Sequence, residues 1–199
     1  IVVYTSDHGD MMGSHRLLAK CVMFEEAVRV PMLVRLPGQS SGRRVRGPMS
    51  QIDLVPTLLD LLGQPVPGDL PGKSLAPVLE RSGDARLEGD VCIEWNGPNN
   101  GLGDVSGSVQ IPDWMETMAP RERIAAATRD PVRTLVSPDG WKLNCSPLGE
   151  HELYDLNDDP GETRNRAADP EQRPRMQAMA DRLRRWQDET NDTVALPRF

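Results

Sequence analysis

The sequence predicts an α/β fold: part of a mostly parallel or mixed sheet with flanking helices, then a small antiparallel sheet with one covering helix. Three observations lead there. The chain opens on "IVVY", a β-branched and aromatic run that stops at polar residues and Gly9, which reads as a buried strand entering a loop. A helix-compatible stretch, "MFEEAVRV", and a second apolar run, "VPMLVRLPG", follow, and strand, helix, strand in that order favours parallel pairing. Towards the end, three strand candidates precede Met176, Met179, Leu183 and Trp186, which share one face at helical spacing.

The elements between follow from local chemistry. "SGRRVRG" reads as an exposed loop whose arginines form a solvated tip. In "SQIDLVPTLLDLLG", Val55, Leu58, Leu59 and Leu62 make one apolar face, predicting a core-packing helix capped by Asp53 and stopped by Gly63. Pro56 falls in its first turn, where a missing N–H costs no internal bond. From Gln64 to Gly89 the chain is rich in Pro and Gly, with a short helical piece in "SLAPVLE"; this places a boundary near residue 88, giving parts 1–88 and 89–199.

In the second part the strand candidates are "DVCIEWN", "VRTLVSPDGWKLNCS" and "HELYDL", the middle one carrying a "PDG" hairpin turn. The Gly-rich insertion between the first two, residues 97–120, is too long for a simple turn, and long ordered loops of that kind are often functional. "EWN" at 94–96, beside it, reads as a packed strand tryptophan before it reads as a cleft lining. Pro174 sets the start of the last helix near Gln172 instead of at the Asp169–Pro170 pair.

Composition narrows the function. With 38% hydrophobic and 27% charged residues, 199 residues suffice for one or two soluble cores, and no apolar run approaches a membrane span. A net charge of −7 without a basic block argues against nucleic acid or anionic lipid as partner. Three widely spaced cysteines, Cys21, Cys92 and Cys145, suggest neither a disulfide framework nor a metal knuckle. Ile1 falls inside a predicted strand, so the sequence is expected to be a segment of a longer chain.

The chemistry concentrates in the first loop, "TSDHGD". Asp7 offers a carboxylate oxygen and His8 an imidazole nitrogen, part of a site for a divalent ion such as magnesium, manganese, calcium or zinc. Neighbours on a strand point to opposite faces, so both reach one ion only where Gly9 has turned the chain. "GSHRLLAK" then brings His15, Arg16 and Lys20 back, and a cation there can hold an anionic oxygen that a metal also polarises.

The whole run from Thr5 to Gly38 resembles the sulfatases of the alkaline phosphatase superfamily: a strand, TSDHG, about a dozen residues to a lysine, an aromatic residue, an acidic pair and R-V-P before the next strand. Here these are Lys20, Phe24, Glu25, Glu26 and "RVP" at 29–31, and the likeness continues in "SQIDLVPTLLDLLG", "PGKSL" and "ELYDLNDDPGETRNRA". The resemblance implies a sulfuric ester hydrolase built on a large mixed α/β sheet, with residues 1–88 completing the catalytic sheet and 89–199 forming the C-terminal subdomain. It implies that Asp7 and His8 ligate a divalent metal, calcium first and magnesium or manganese as alternatives. It also implies that Lys20 grips the sulfate and that His15 contacts sulfate or the leaving oxygen, although Ser14 stands where an acidic residue is frequent.

The family's formylglycine nucleophile, made from a C/S-x-P-x-R motif, and two further acidic ligands belong upstream of TSDHG, and none is present here. "CSPLG" at 145–149 keeps Cys145 and Pro147 but has Gly149 in place of arginine and follows the metal segment, so it is not read as the nucleophile. The expected substrate is a small-molecule or carbohydrate sulfate ester, and the segment alone is expected to be inactive. Two alternatives stay open: a phosphonate monoester or phosphodiester hydrolase of the same fold, and a non-catalytic binding or assembly module. Oligomeric state and location are not legible.

Overall fold

In the computed structural model, residues 1–97 and 113–199 are described, so most of the Gly-rich insertion lies outside the described residues. The chain forms two compact units, both discontinuous in sequence. One holds Ile1–Ser6, Pro31–Val91 and Val136–Trp141; the other holds Asp7–Val30, Cys92–Leu135 and Lys142–Phe199.

In the first unit, β1 (Val2–Thr5) pairs with β2 (Met32–Arg35) in the register Val2↔Arg35 to Thr5↔Met32. The pairing is antiparallel, which corrects the expected parallel order. The intervening helix α1 (Glu25–Val28) is a single turn. Strand β2 starts beside the end where β1 stops, with Thr5 facing Met32. The parallel pair lies elsewhere, between β3 (Val45–Arg46) and β4 (Ala85–Arg86). Their crossover contains α2 (Leu54–Leu61) and α3 (Ala76–Leu79), enough chain to return to the same end. No large parallel sheet forms among the described residues, whose sheets have two, two and four strands.

Helix α2 is where the pattern placed it, behind a 3-10 turn at Gln51–Asp53 and ended by Gly63 at φ 65°. Its rotation differs from the expectation: Pro56 and Thr57 are buried, while Val55 and Leu62 are exposed. The reason is polar. Asp53 does not cap the helix; its carboxylate accepts the Lys73 N–H at 2.9 Å, and the Thr57 hydroxyl accepts the Leu75 N–H at 2.9 Å. These two bonds tie "DLVPT" to "KSL" and turn their own side of α2 inward. Arg43 is likewise no solvated tip: it donates to the carbonyls of Val78, Leu79 and Gly83, satisfying the open end of α3.

The remaining strands are β5 (Val91–Glu94), β6 (Arg133–Val136), β7 (Trp141–Cys145) and β8 (Glu152–Asp155), side by side in that order. Links as short as 137–140 and 146–151 permit only antiparallel neighbours, and the "SPDG" turn closes the first with Gly140 N–H donating to Ser137 O at 3.0 Å. Besides α1, two longer helices belong to the second unit. The first, α4 (Arg121–Ala127), follows a 3-10 turn at Asp113–Thr117; neither was expected from the sequence. Pro120 stands at its N-terminus and an alanine run favours it. The second, α5 (Arg173–Thr190), begins one residue from the predicted start, and the Asp169–Pro170 pair caps a 3-10 lead-in turn instead. Its buried stripe is Met176, Met179, Ala180, Leu183 and Gln187, with Trp186 only half-buried. With Leu135, Leu143, Cys145 and Leu153, the apolar members of that stripe form the core of this unit, each large side chain contributing about 1.5–3 kcal/mol on burial.

One buried ion pair fixes the edge of that core. Arg133, 2% exposed, donates to both oxygens of Asp192 at 2.9 and 2.7 Å and to Asn96 Oδ1 at 2.8 Å. The bonds from Arg133 hold the Asp192 carboxyl below its usual 3.8. Arg133→Met is expected to destabilise the fold by about 3–5 kcal/mol in denaturant unfolding, because a carboxylate stays behind without its partner. The contribution of Asp192 is complete above its unfolded pKa and disappears as pH falls below that value, so the variant also loses part of its acid-dependence below about pH 4.

Candidate active site

The loop after β1 is laid out by backbone contacts. Gly9 N–H donates to Ala27 O at 2.9 Å, and a Cβ at Gly9 would stand 1.8 Å from the Glu26 carbonyl oxygen. Only glycine fits, so the Asp-His-Gly turn lies flat on α1. Met11 is fully buried and anchors the next segment, where its N–H meets Ala19 O at 2.7 Å and its carbonyl receives the Ser14 N–H at 2.7 Å. Between these anchors Met12, His15, Arg16 and Ala19 all adopt positive φ, as does Cys21 beyond them. Each costs about 1–2 kcal/mol relative to the right-handed region. Such strain persists only where the surroundings enforce it, and it folds Lys20 back over His8.

Three of the four candidate residues meet. The His8 N–H donates to Asp7 Oδ1 at 3.0 Å, and Asp7 Oδ2 lies 3.4 Å from His8 Nε2. The His8 ring is oriented by the Gly9 carbonyl, 2.7 Å from Nδ1. A carbonyl can only accept, so Nδ1 carries the proton and Nε2 presents its lone pair. That lone pair receives the Lys20 ammonium at 2.6 Å. An imidazole fixed through Nδ1, with a carboxylate oxygen beside Nε2 and a cation already on that lone pair, offers donors of the types that suit a divalent metal. Asp7 and His8 supply two donors, and no group of three or more metal-binding side chains occurs among the described residues. The pair therefore fits one side of a divalent site.

His15 is held differently. Its ring stacks on Phe24 at 3.8 Å and 9°, and Phe24 in turn meets Tyr154 of β8 at 6.3 Å. The residues that anchor this platform escaped the sequence reading. Lys142 on β7 is fully buried between Glu25 and Glu162, and Glu162 sits in the "DPGET" loop. The available signal was a lysine inside "GWKLN", a strand otherwise fit for burial.

The family model described as N-sulphoglucosamine sulphohydrolase, C-terminal, matches residues 13–99. The uncharacterized sulfatase YidJ of Escherichia coli is 32% identical over 165 residues, covering 82% of this chain. The chain belongs to the sulfatase family. A solved 2-O GAG sulfatase superposes on all of it with a TM-score of 0.74 at 27% identity. The phosphonate monoester hydrolase of Silicibacter pomeroyi covers 94% of it at a TM-score of 0.66 and 26% identity. This sulfatase segment spans 27% of the length of YidJ and 39% of the GAG sulfatase. Within it Cys145 is fully buried, and burial, chiefly, pushes its thiol up to about 11, so the thiolate is scarce at neutral pH.

Proposed function

We propose that the protein containing this sulfatase segment hydrolyses sulfate esters, with carbohydrate sulfates as the substrate class. The observation that carries this reading is the convergence of Asp7, His8 and Lys20 at the end of β1, with the His8 lone pair aimed at a cation. Asp7 and His8 hold one side of a divalent ion, calcium first and magnesium or manganese as alternatives. When bound, that ion polarises the sulfate oxygens. Lys20, released from His8, donates to a sulfate oxygen and offsets the charge that develops as the S–O bond breaks. His15, carried on Phe24, faces sulfate or the leaving oxygen and moves a proton there. The nucleophile is an upstream formylglycine. Residues 1–88 complete the catalytic sheet, and 89–199 form the C-terminal subdomain. The carbohydrate class is supported by the matched model's name and by the GAG sulfatase.

The experiment compares the full-length protein with the 199-residue segment on an aryl sulfate and a matched aryl phosphonate, with and without a chelator. Chelator-sensitive sulfate hydrolysis by the full-length protein alone is expected. A preference for the phosphonate would favour the second reading, a phosphonate monoester hydrolase, which the Silicibacter pomeroyi likeness motivates. Sulfate hydrolysis by the segment would overturn the assignment of the nucleophile, and neither activity together with no calcium binding would leave a binding or assembly module.

A further inference from the structure

The cluster around Lys142 is expensive to bury. Its ammonium is wholly enclosed, 3.1 Å from Glu25 Oε1 and 2.9 Å from Glu162 Oε1, so one lysine faces two carboxylates. Burial, the largest influence, raises the Glu162 carboxyl above its usual range even beside Lys142. Buried ion clusters rarely stabilise a fold better than apolar residues of the same size, so stability is a poor reason for this one. Geometry is a better one. The second oxygen of Glu162 accepts the Glu25 backbone N–H at 2.6 Å, so Glu25 is held by its amide through Glu162 and by its carboxylate through Lys142. Arg29, 3.8 Å from the other Glu25 oxygen, adds a weaker exposed contact.

What is clamped is the platform under the site. Phe24, immediately before Glu25, carries the His15 ring. Glu26, immediately after it, supplies the carbonyl against which Gly9 lies, and Ala27 accepts the Gly9 N–H. His8 hangs from Gly9 through its Nδ1–H. A shift of Glu25 therefore displaces both His8 and His15.

We propose that Lys142 and Glu162 are positioning residues: they lock Glu25, and through residues 24–27 they set where His8 and His15 stand. The proposal rests on the reading of residues 7–20 as the sulfate ester site. It is tested in the full-length protein with Lys142→Met, Lys142→Arg and, should the methionine variant fail to fold, Glu25→Gln, which keeps the amide bond to Glu162. With circular dichroism unchanged, Lys142→Met is expected to lower kcat about tenfold to hundredfold while KM moves less than about threefold, since small misplacements cost rate more than binding. Lys142→Arg restores most of kcat. Calcium affinity in a calorimetric titration falls about tenfold or more, as when an outer partner of a ligating histidine is lost. A readout independent of activity is the ring-current shift of the His15 ring, which Phe24 imposes and which Lys142→Met is expected to diminish. A folded Lys142→Met protein with unchanged kcat, calcium affinity and His15 shift would overturn the proposal. If the wild-type protein hydrolyses no sulfate ester, the functional reading fails, while the His15 shift still decides whether Lys142 positions the platform.

Discussion

Lys20→Ala in the full-length protein is expected to lower kcat/KM for a sulfate ester about 10²–10³-fold, the usual cost of removing one donor that meets developing charge. The fold should not suffer. Lys20 is exposed, and its described contact is the 2.6 Å bond to His8 Nε2. Exposed polar contacts of this kind contribute about 0–1 kcal/mol, so the thermal midpoint should move little while the rate collapses. Metal affinity gives a second, opposite reading. Because the ammonium occupies the lone pair that a metal would take, Lys20→Ala should leave calcium binding unchanged or tighter. Asp7→Ala, which deletes a carboxylate donor, should weaken it. Steady-state kinetics beside a calcium titration separate the two roles, and wild-type kcat/KM in Lys20→Ala would remove Lys20 from the chemistry.

Gly9→Ala is expected to damage both stability and activity. The new Cβ would stand 1.8 Å from Glu26 O, 2.9 Å from Glu26 C and 3.4 Å from Ala27 Cα. All three are backbone atoms, so no side chain can swing aside. Either the Gly9–Ala27 hydrogen bond opens or α1 moves, and overpacking of this kind costs about 1–3 kcal/mol. For a chain of this size that is a fall of roughly 2–12 °C in thermal midpoint. The same displacement turns His8 away from Asp7 and Lys20, so calcium affinity and kcat/KM should fall with it. Gly42→Ala is the control: an ideal Cβ there meets nothing within 4 Å, and a change within about 0.5 kcal/mol is expected. Equal midpoints for the two variants would refute the close approach.

The site was legible to the extent that it is local. Asp7, His8 and Gly9 are consecutive, and Lys20 returns from one compact loop, so residue type and spacing already brought donor, imidazole and cation together. The "SPDG" hairpin and the α5 stripe were legible for the same reason, since turn chemistry and a 3.6-residue period are properties of neighbours along the chain. Apolar period alone did not fix which way α2 faces. Its rotation follows from bonds between Asp53 and Lys73 and between Thr57 and Leu75, partners some twenty residues away that no window on the helix contains.

What the sequence by itself determined is a sulfatase-like strand, turn and loop that carries an Asp-His pair and a lysine at its tip. The tertiary structure decided the rest: β1 and β2 run antiparallel, with Thr5 facing Met32, and His15 rests on Phe24 instead of beside His8. It also decided that Lys142, 117 residues from Glu25, is the counter-charge beneath the site. A buried charge takes its meaning from whatever opposite charge the fold places within about 3 Å, and that distance is set by packing across strands, which no spacing along the chain encodes.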